Sequence, residues 1–413
     1  MEINLLTNQF TDLWYQTSEA QSAWGAPVNR EEKQRKEVVV DAFFKSMKKL
    51  DGDLLKAYSE SNALDGFVLG QLRELFQNAF SYAHEEIDLM FSDEMMKATK
   101  AFIKQARKFD SKLPIQSIFQ ACRNVWIMTG LQLILGRLVE LTPSVFAYSM
   151  LYPYTDNFVD DPEISSSEKQ AFSLRFAERL AGRAVDPINE QEQKIYALVG
   201  MIEGQYDRQE YPQVFDSLLG IHQAQTQSMA LFGRQGMSEE EAIRICLAKG
   251  GASVLADGYL IAGSLSEEEK YFLFGYGAYL QLLDDVQDVK EDLADGLLTA
   301  FSKAARNQKL DAMIYKTYNF GEQVLTDSAS LLSRVELDFK GLLQKSILLF
   351  FVESVAVDQQ YYSASFQAQL EEVSPLSFGF VRDRHNFFTP QKHVLLAQLE
   401  RRVFAAQLNT VEG

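Results

Sequence analysis

The sequence predicts an all-α protein, and three observations carry that prediction. Apolar residues recur at helical spacing from about Glu31 almost to the end of the chain. No run of alternating apolar and polar residues long enough for a strand appears, and only nine prolines punctuate 413 residues. The gaps between periodic stretches are a few residues long, as helical bundles prefer.

Taken in order, residues 1–30 hold Trp14, Tyr15 and Trp24 among Gly, Pro and Asn, and predict an irregular arm packed on the body. Helices are expected over 32–59, 64–91, 93–110, 115–136, 143–161, 166–183, 189–207, 211–233, 238–262, 266–293, 297–318 and 322–357. Their starts carry cap chemistry. Ser92 and Ser238 precede acidic first turns, and Ser266 has Glu269 three residues on. The segment 358–390 departs from the pattern, with two prolines, many aromatics and the basic knot Arg382-Asp-Arg384-His385. It predicts a ring-rich loop, read as packing over a bundle end in preference to a lid. A last helix is expected over 391–411. With no linker, charge block or repeat, 31–413 is predicted to be one large domain.

Composition narrows the partners. A net charge of −17 disfavours nucleic acid and anionic membranes, so an anionic ligand would need metal ions or a local basic cluster. The two cysteines, Cys122 and Cys246, suggest no disulfide framework, and the four histidines have no zinc-type spacing. The N-terminus lacks the basic start and apolar core of a signal peptide. The most apolar run, Ser346 to Val352, ends at Glu353, well short of the ~20 residues of a membrane span. A cytoplasmic protein without a transmembrane segment is expected.

Chemistry concentrates in two acidic stretches. Over 277–295, Tyr279, Leu282, Leu283, Val286, Val289 and Leu293 form one helical stripe, and Asp284, Asp285, Asp288, Asp292 and Asp295 the other. Asp284, Asp288 and Asp292 repeat at i, i+4 and i+8, where like charges weaken a helix by a few tenths of a kcal/mol per pair, roughly. A bound Mg²⁺ would offset that cost; a solvated acidic face is the plain alternative. The same face runs back through Phe274, Gly277, Ala278 and Gln281, small or apolar, which suits a cavity wall with charge at its mouth. The second stretch, Tyr152-Pro-Tyr-Thr-Asp156-Asn157-Phe-Val-Asp160-Asp161-Pro162, repeats that polarity, with Ser149 and Val145 behind Tyr152. Ordinary helix-stop chemistry would also explain it, but carboxylates at a helix C-terminus oppose the macrodipole.

These residues resemble a family. Gly277-x-x-Leu280-Gln281-x-x-Asp284-Asp285-x-x-Asp288 is similar to the second aspartate-rich motif of trans-isoprenyl diphosphate synthases, with Leu for the usual Phe. Asp156-Asn157-x-x-Asp160 resembles the first such motif in its terpene-synthase and squalene-synthase variants. The resemblance, over roughly residues 115–320, is to the class I isoprenoid synthases, and most of all to bacterial large-terpene synthases. It implies a helical bundle around a deep apolar cavity, with Mg²⁺ held by Asp156, Asp160, Asp284, Asp285, Asp288 and Asp292 against the diphosphate of a long prenyl substrate. Lys249-Gly250-Gly251-Ala-Ser253 resembles the Lys-Thr pair such enzymes turn toward diphosphate, with Gly for Thr. Its glycines, costing about 1 kcal/mol each in a helix interior, also fit helix packing. Arg123 is a second cation for the same anion. Tyr152, Ser149, Phe274, Gly277, Gln281, Tyr259 and Trp126 are candidate cavity residues; the aromatic ones are also readable as plain core. The double Arg and Gly-Lys-Arg of chain-elongating relatives are missing, so ionisation of a single prenyl diphosphate is expected. Head-to-head condensation of the squalene/phytoene type and a non-catalytic helical scaffold are the alternatives. A homodimer is left open.

Overall fold

The computed structural model describes residues 2–22, 24–49, 61–160, 164–232, 237–336 and 338–385, without the side chains of 48–49, 61–65, 156–157 and 159–160. Among the described residues the regular structure is helical, and one isolated bridge pairs Phe232 with Leu297. The helices are α1 (Glu2–Gln16), α2 (Arg30–Lys49), α3 (Ser61–Asn78), α4 (His84–Met90), α5 (Asp93–Phe109), α6 (Ile115–Ile134), α7 (Pro143–Asp160), α8 (Ser166–Leu180) and α9 (Glu190–Gln205). They continue with α10 (Pro212–Ser228), α11 (Glu239–Ala262), α12 (Glu267–Gln287), α13 (Val289–Asp295), α14 (Ala300–Ala305), α15 (Asp311–Asp327), α16 (Ala329–Leu332), α17 (Phe339–Val357) and α18 (Ala364–Val373).

The expected starts are capped as the sequence suggests. Ser238 Oγ accepts from Glu241 N at 3.0 Å. At the head of α12, Ser266 and Glu269 form a reciprocal capping box. Other expectations need correction. The expected arm contains α1, because Thr7, Phe10, Thr11 and Trp14 make a helical stripe and are all buried. The Gly and Pro that suggested irregularity lie after it. The expected helix 64–91 is two helices, broken where Ser81 takes a positive φ of 59°. The stretch 322–357 is divided among α15, α16 and α17, and 266–293 breaks at Asp288. The segment 358–390 is largely helical as far as it is described, through α18 and residues 378–385. The expected helix 391–411 lies outside the described residues.

The chain forms two compact units where one domain was expected. The first comprises Met1–Ser22, Ala101–Ile103 and Gln120–Glu336; the second comprises Ala23–Lys100, Lys104–Phe119 and Leu337–Gly413. The second unit joins segments from both ends of the chain, so no linker in the sequence announces it. Inside it, Trp24 packs edge-on to Phe351 and Phe366, and Lys345 pairs with the nearly buried Glu86 at 2.8 Å.

The first unit is built on α11. This helix alone among the described residues is long and apolar enough to cross a membrane, and 72% of its apolar window is buried inside the fold. Its neighbour α12 runs antiparallel to it, since a Cβ at Gly250 would crowd Gly277 and one at Gly258 would crowd Leu273. Ala248, Ala252 and Ala256 on another face pack with Ile221 and Ala224 of α10. Helix α1 covers part of α12, with Phe10 stacked 5.5 Å from Phe274 and Trp14 edge-on to Phe320 of α15.

Candidate functional site

Five helices of the first unit each turn one stripe toward a common cavity of about 360 Å³, and α8 adds Phe176 and Leu180. The portion of α6 from Gln120 contributes Gln120, Arg123, Asn124 and Ile127. Tyr148, Leu151, Tyr152 and Thr155 come from α7, and Leu218, Ile221, His222 and Gln225 from α10. All three sets follow i, i+3, i+4, i+7, the spacing of a single helix face. Helix α11 supplies Lys249, Gly250, Ser253, Val254 and Asp257, and α12 supplies Gly277, Leu280, Gln281, Asp284 and Asp288. The volume lies in the ~300–1,000 Å³ range of small-molecule sites.

The antiparallel pairing of α11 and α12 gives the cavity two ends. Lys249 precedes the Gly250–Gly277 approach, and Asp284 and Asp288 follow it, so these three charges share one end. Asp257 lies two turns beyond Lys249, roughly 12 Å along the helix, at the other. Burial raises the Asp284 carboxyl above its ordinary range, while the charges of Arg123 and Lys249 pull it back. Asp288, exposed at the rim, is pushed up to about 6, first by desolvation and then by the charge of Asp284; water at the rim screens part of that. Neither Lys249 nor Arg123 has an ion pair or side-chain hydrogen bond among the described residues.

The glycines are explained by close backbone approach. A Cβ on Gly250 would meet Gln281 Cβ at 2.5 Å and overlap the Gly277 carbonyl, and one on Gly251 would strike the Phe274 ring at 2.5 Å. Thus Lys-Gly-Gly lets α11 and α12 touch and sets Lys249 beside the acidic stripe.

Of the residues singled out in the sequence, Arg123, Tyr152, Lys249, Gly277, Gln281, Asp284 and Asp288 are brought to this cavity. Others go elsewhere. Asp285 is buried, with Oδ1 accepting from Gln281 Nε2 at 2.9 Å and Oδ2 without a partner among the described residues. Burial pushes its carboxyl up to about 6. Asp292 accepts from Thr299 Oγ1 at 3.1 Å. The expected i, i+4, i+8 array fails there because Asp288 leaves helical geometry (φ −94°, ψ 7°) and caps α12 before α13 begins. Phe274 is core under α1, and Tyr259 donates to the Glu2 carboxylate at 2.9 Å, so α1 takes both from the cavity wall. Ser149 is fully buried and within 3.2 Å of Asn124 Nδ2, one layer behind the wall. Trp126 is 47% exposed and outside the lining. Asp156 and Asp160 lie in the last turns of α7, after Tyr152 and Thr155; their side chains are outside the described residues.

Among the lining residues that were not foreseen, Asp257 and His222 carry chemistry. Asp257 is wholly buried; its Oδ1 accepts from Asn124 Nδ2 at 3.3 Å, and its Oδ2 has no partner among the described residues. Burial holds its carboxyl well above the usual range, with the Asn124 bond opposing. A lone acid in the apolar run 252–260 was the available signal. His222 faces Ser173 and Phe176 of α8, and burial lowers its affinity for a proton. A single histidine in an amphipathic helix gave no comparable signal.

Among the described residues no three His, Cys, Asp or Glu side chains gather as a metal site. Mg²⁺ commonly takes one or two carboxylates and completes its octahedron with water and substrate phosphate, so Asp284 and Asp288, one turn apart on a cavity wall, fit that more modest demand. No protein-family model matches the chain, and no curated protein matches it.

Proposed function

We propose that the first unit is a Mg²⁺-dependent class I terpene synthase that ionises a long linear prenyl diphosphate, releasing pyrophosphate and forming a terpene. The observation that carries this reading is one cavity with Asp284, Asp288, Lys249 and Arg123 toward one end and mostly apolar or aromatic walls elsewhere. A ligand suited to it has a compact polyanionic head and a long apolar tail. Asp284 and Asp288 would hold Mg²⁺, and bound metal would stabilise the charge that develops on the leaving diphosphate.

The chain's own residues would do the rest. Lys249 offers a compact ammonium to the diphosphate oxygens, and Arg123 a planar fork that can span two of them. As the C–O bond breaks, its electron pair moves to the leaving oxygen, so both contacts strengthen toward the transition state. Tyr148, Tyr152 and Phe176 present ring faces or edges to the hydrocarbon, and a ring face stabilises a nearby cation by about 0.5–2 kcal/mol. Ile127, Leu151, Leu180 and Leu218 exclude water from the cation.

The test is incubation of the purified chain and Mg²⁺ with C10 to C35 all-trans prenyl diphosphates, following pyrophosphate and extractable products. Pyrophosphate release that depends on Mg²⁺ and chain length supports the reading. Tight binding of the same substrates without release favours a non-catalytic scaffold.

A further inference from the structure

The cavity contains a base that the ionisation step does not use. His222 is 8% exposed and lines the cavity from α10. Its Nε2 lies 2.9 Å from the Ser173 carbonyl oxygen, which can only accept, so Nε2 carries the hydrogen. The Ser173 hydroxyl, 3.2 Å from the same nitrogen, completes that side. The Phe176 ring stands edge-on to the imidazole, 5.0 Å between centroids at 79°, and fixes its plane. With Nε2 as donor, a neutral ring has its lone pair on Nδ1, and Nδ1 has no hydrogen bond among the described residues.

We propose that His222 Nδ1 takes the terminating proton from the carbocation, so that the product leaves as an alkene. The step rests on the ionisation proposed above. A C–H bond beside the cationic carbon breaks, its electron pair becomes the new π bond, and the proton forms an N–H bond at Nδ1. The imidazolium returns that proton to pyrophosphate or to water when product leaves. A carbocation is so strong an acid that the base need not be strong; it must be present, unprotonated and beside the cation. Burial keeps His222 unprotonated below the ordinary histidine range. The charged or titratable groups facing the same space are Arg123 on α6, Tyr148 and Tyr152 on α7, Lys249 and Asp257 on α11, and Asp284 and Asp288 on α12. The two cations oppose protonation of the ring; the carboxylates favour it.

The experiment measures alkene formed per pyrophosphate released, with Mg²⁺ and whichever of the C10–C35 substrates turns over. In wild type the ratio should hold from pH 8 to about 6.5, the ordinary histidine value, and fall at lower pH as the ring protonates. His222→Gln keeps an N–H donor for the Ser173 carbonyl but puts no lone pair at the Nδ1 position. In this variant the ratio should drop about a hundredfold, in favour of alcohol, at the low end for loss of a general base, and lose its pH dependence. A wild-type ratio in His222→Gln overturns the assignment and leaves pyrophosphate as the base. If wild-type protein releases no pyrophosphate from any substrate, the ionisation reading falls and this step with it.

Discussion

Lys249 shows how one residue's position can be more informative than its type. It sits among small neighbours on α11, makes no ion pair among the described residues, and faces the carboxylates of α12. Lys249→Ala should lower kcat/KM by about 2–4 kcal/mol in free-energy terms, with kcat falling as well as KM rising. Lys249→Arg should rescue little, since a planar fork does not replace a point charge in a tight space. Steady-state kinetics of both variants decides this, and unchanged constants in Lys249→Ala would reduce the residue to packing. Asp257 gives a second prediction. Its folded-state proton affinity is raised, so its contribution to stability is full below the unfolded pKa near 3.9 and is lost as pH rises toward the folded value. Asp257→Asn removes that loss. Urea unfolding should put the variant within about 1 kcal/mol of wild type near pH 4 and clearly above it at pH 8; an equal difference at both values would contradict the burial argument. Asp284 and Asp288 were legible in the sequence because carboxylates at helical spacing are costly unless used, whereas the lone Asp257 was not. Spacing alone did not reveal that Asp285 turns into the core against Gln281, nor that the helix breaks at Asp288 and sends Asp292 to Thr299.

At the level of elements, the site depends on α11 and α12 lying backbone to backbone. Gly250 and Gly277 face one another, and a methyl group on either overlaps the other's carbonyl group. Gly277→Ala should destabilise the first unit by about 1–3 kcal/mol, the usual cost of overpacking, and should weaken turnover by moving Asp284 away from Lys249. Denaturant unfolding together with pyrophosphate release would show both effects. Loss of neither would mean that the two helices are free to separate. Both helices were legible from Ser238, Ser266 and their acidic first turns. Helix α1 was not, because its stripe of Thr7, Phe10, Thr11 and Trp14 mixes small polar and aromatic residues. That helix matters to the site, because it covers Phe274 and holds Tyr259 through Glu2, removing two rings that the sequence placed in the cavity wall.

For the whole molecule, the all-α class followed from periodicity, but the division into two units did not. Periodicity is local, whereas the second unit is assembled from segments hundreds of residues apart. A net charge of −17 leaves a polyanionic ligand dependent on Lys249, Arg123 and metal. Pyrophosphate and Mg²⁺ together should therefore stabilise the protein where neither alone does, by about 2.7 kcal/mol at a hundredfold excess over Kd, visible as a shift in thermal unfolding. The most direct test of the central claim is pyrophosphate release from C10–C35 prenyl diphosphates by wild type, Asp284→Ala and Asp288→Ala, with and without Mg²⁺. Wild type should release pyrophosphate only with Mg²⁺, and both variants should lose release while remaining folded. No release by wild type at any chain length, or wild-type release by either folded variant, would contradict the assignment of this cavity.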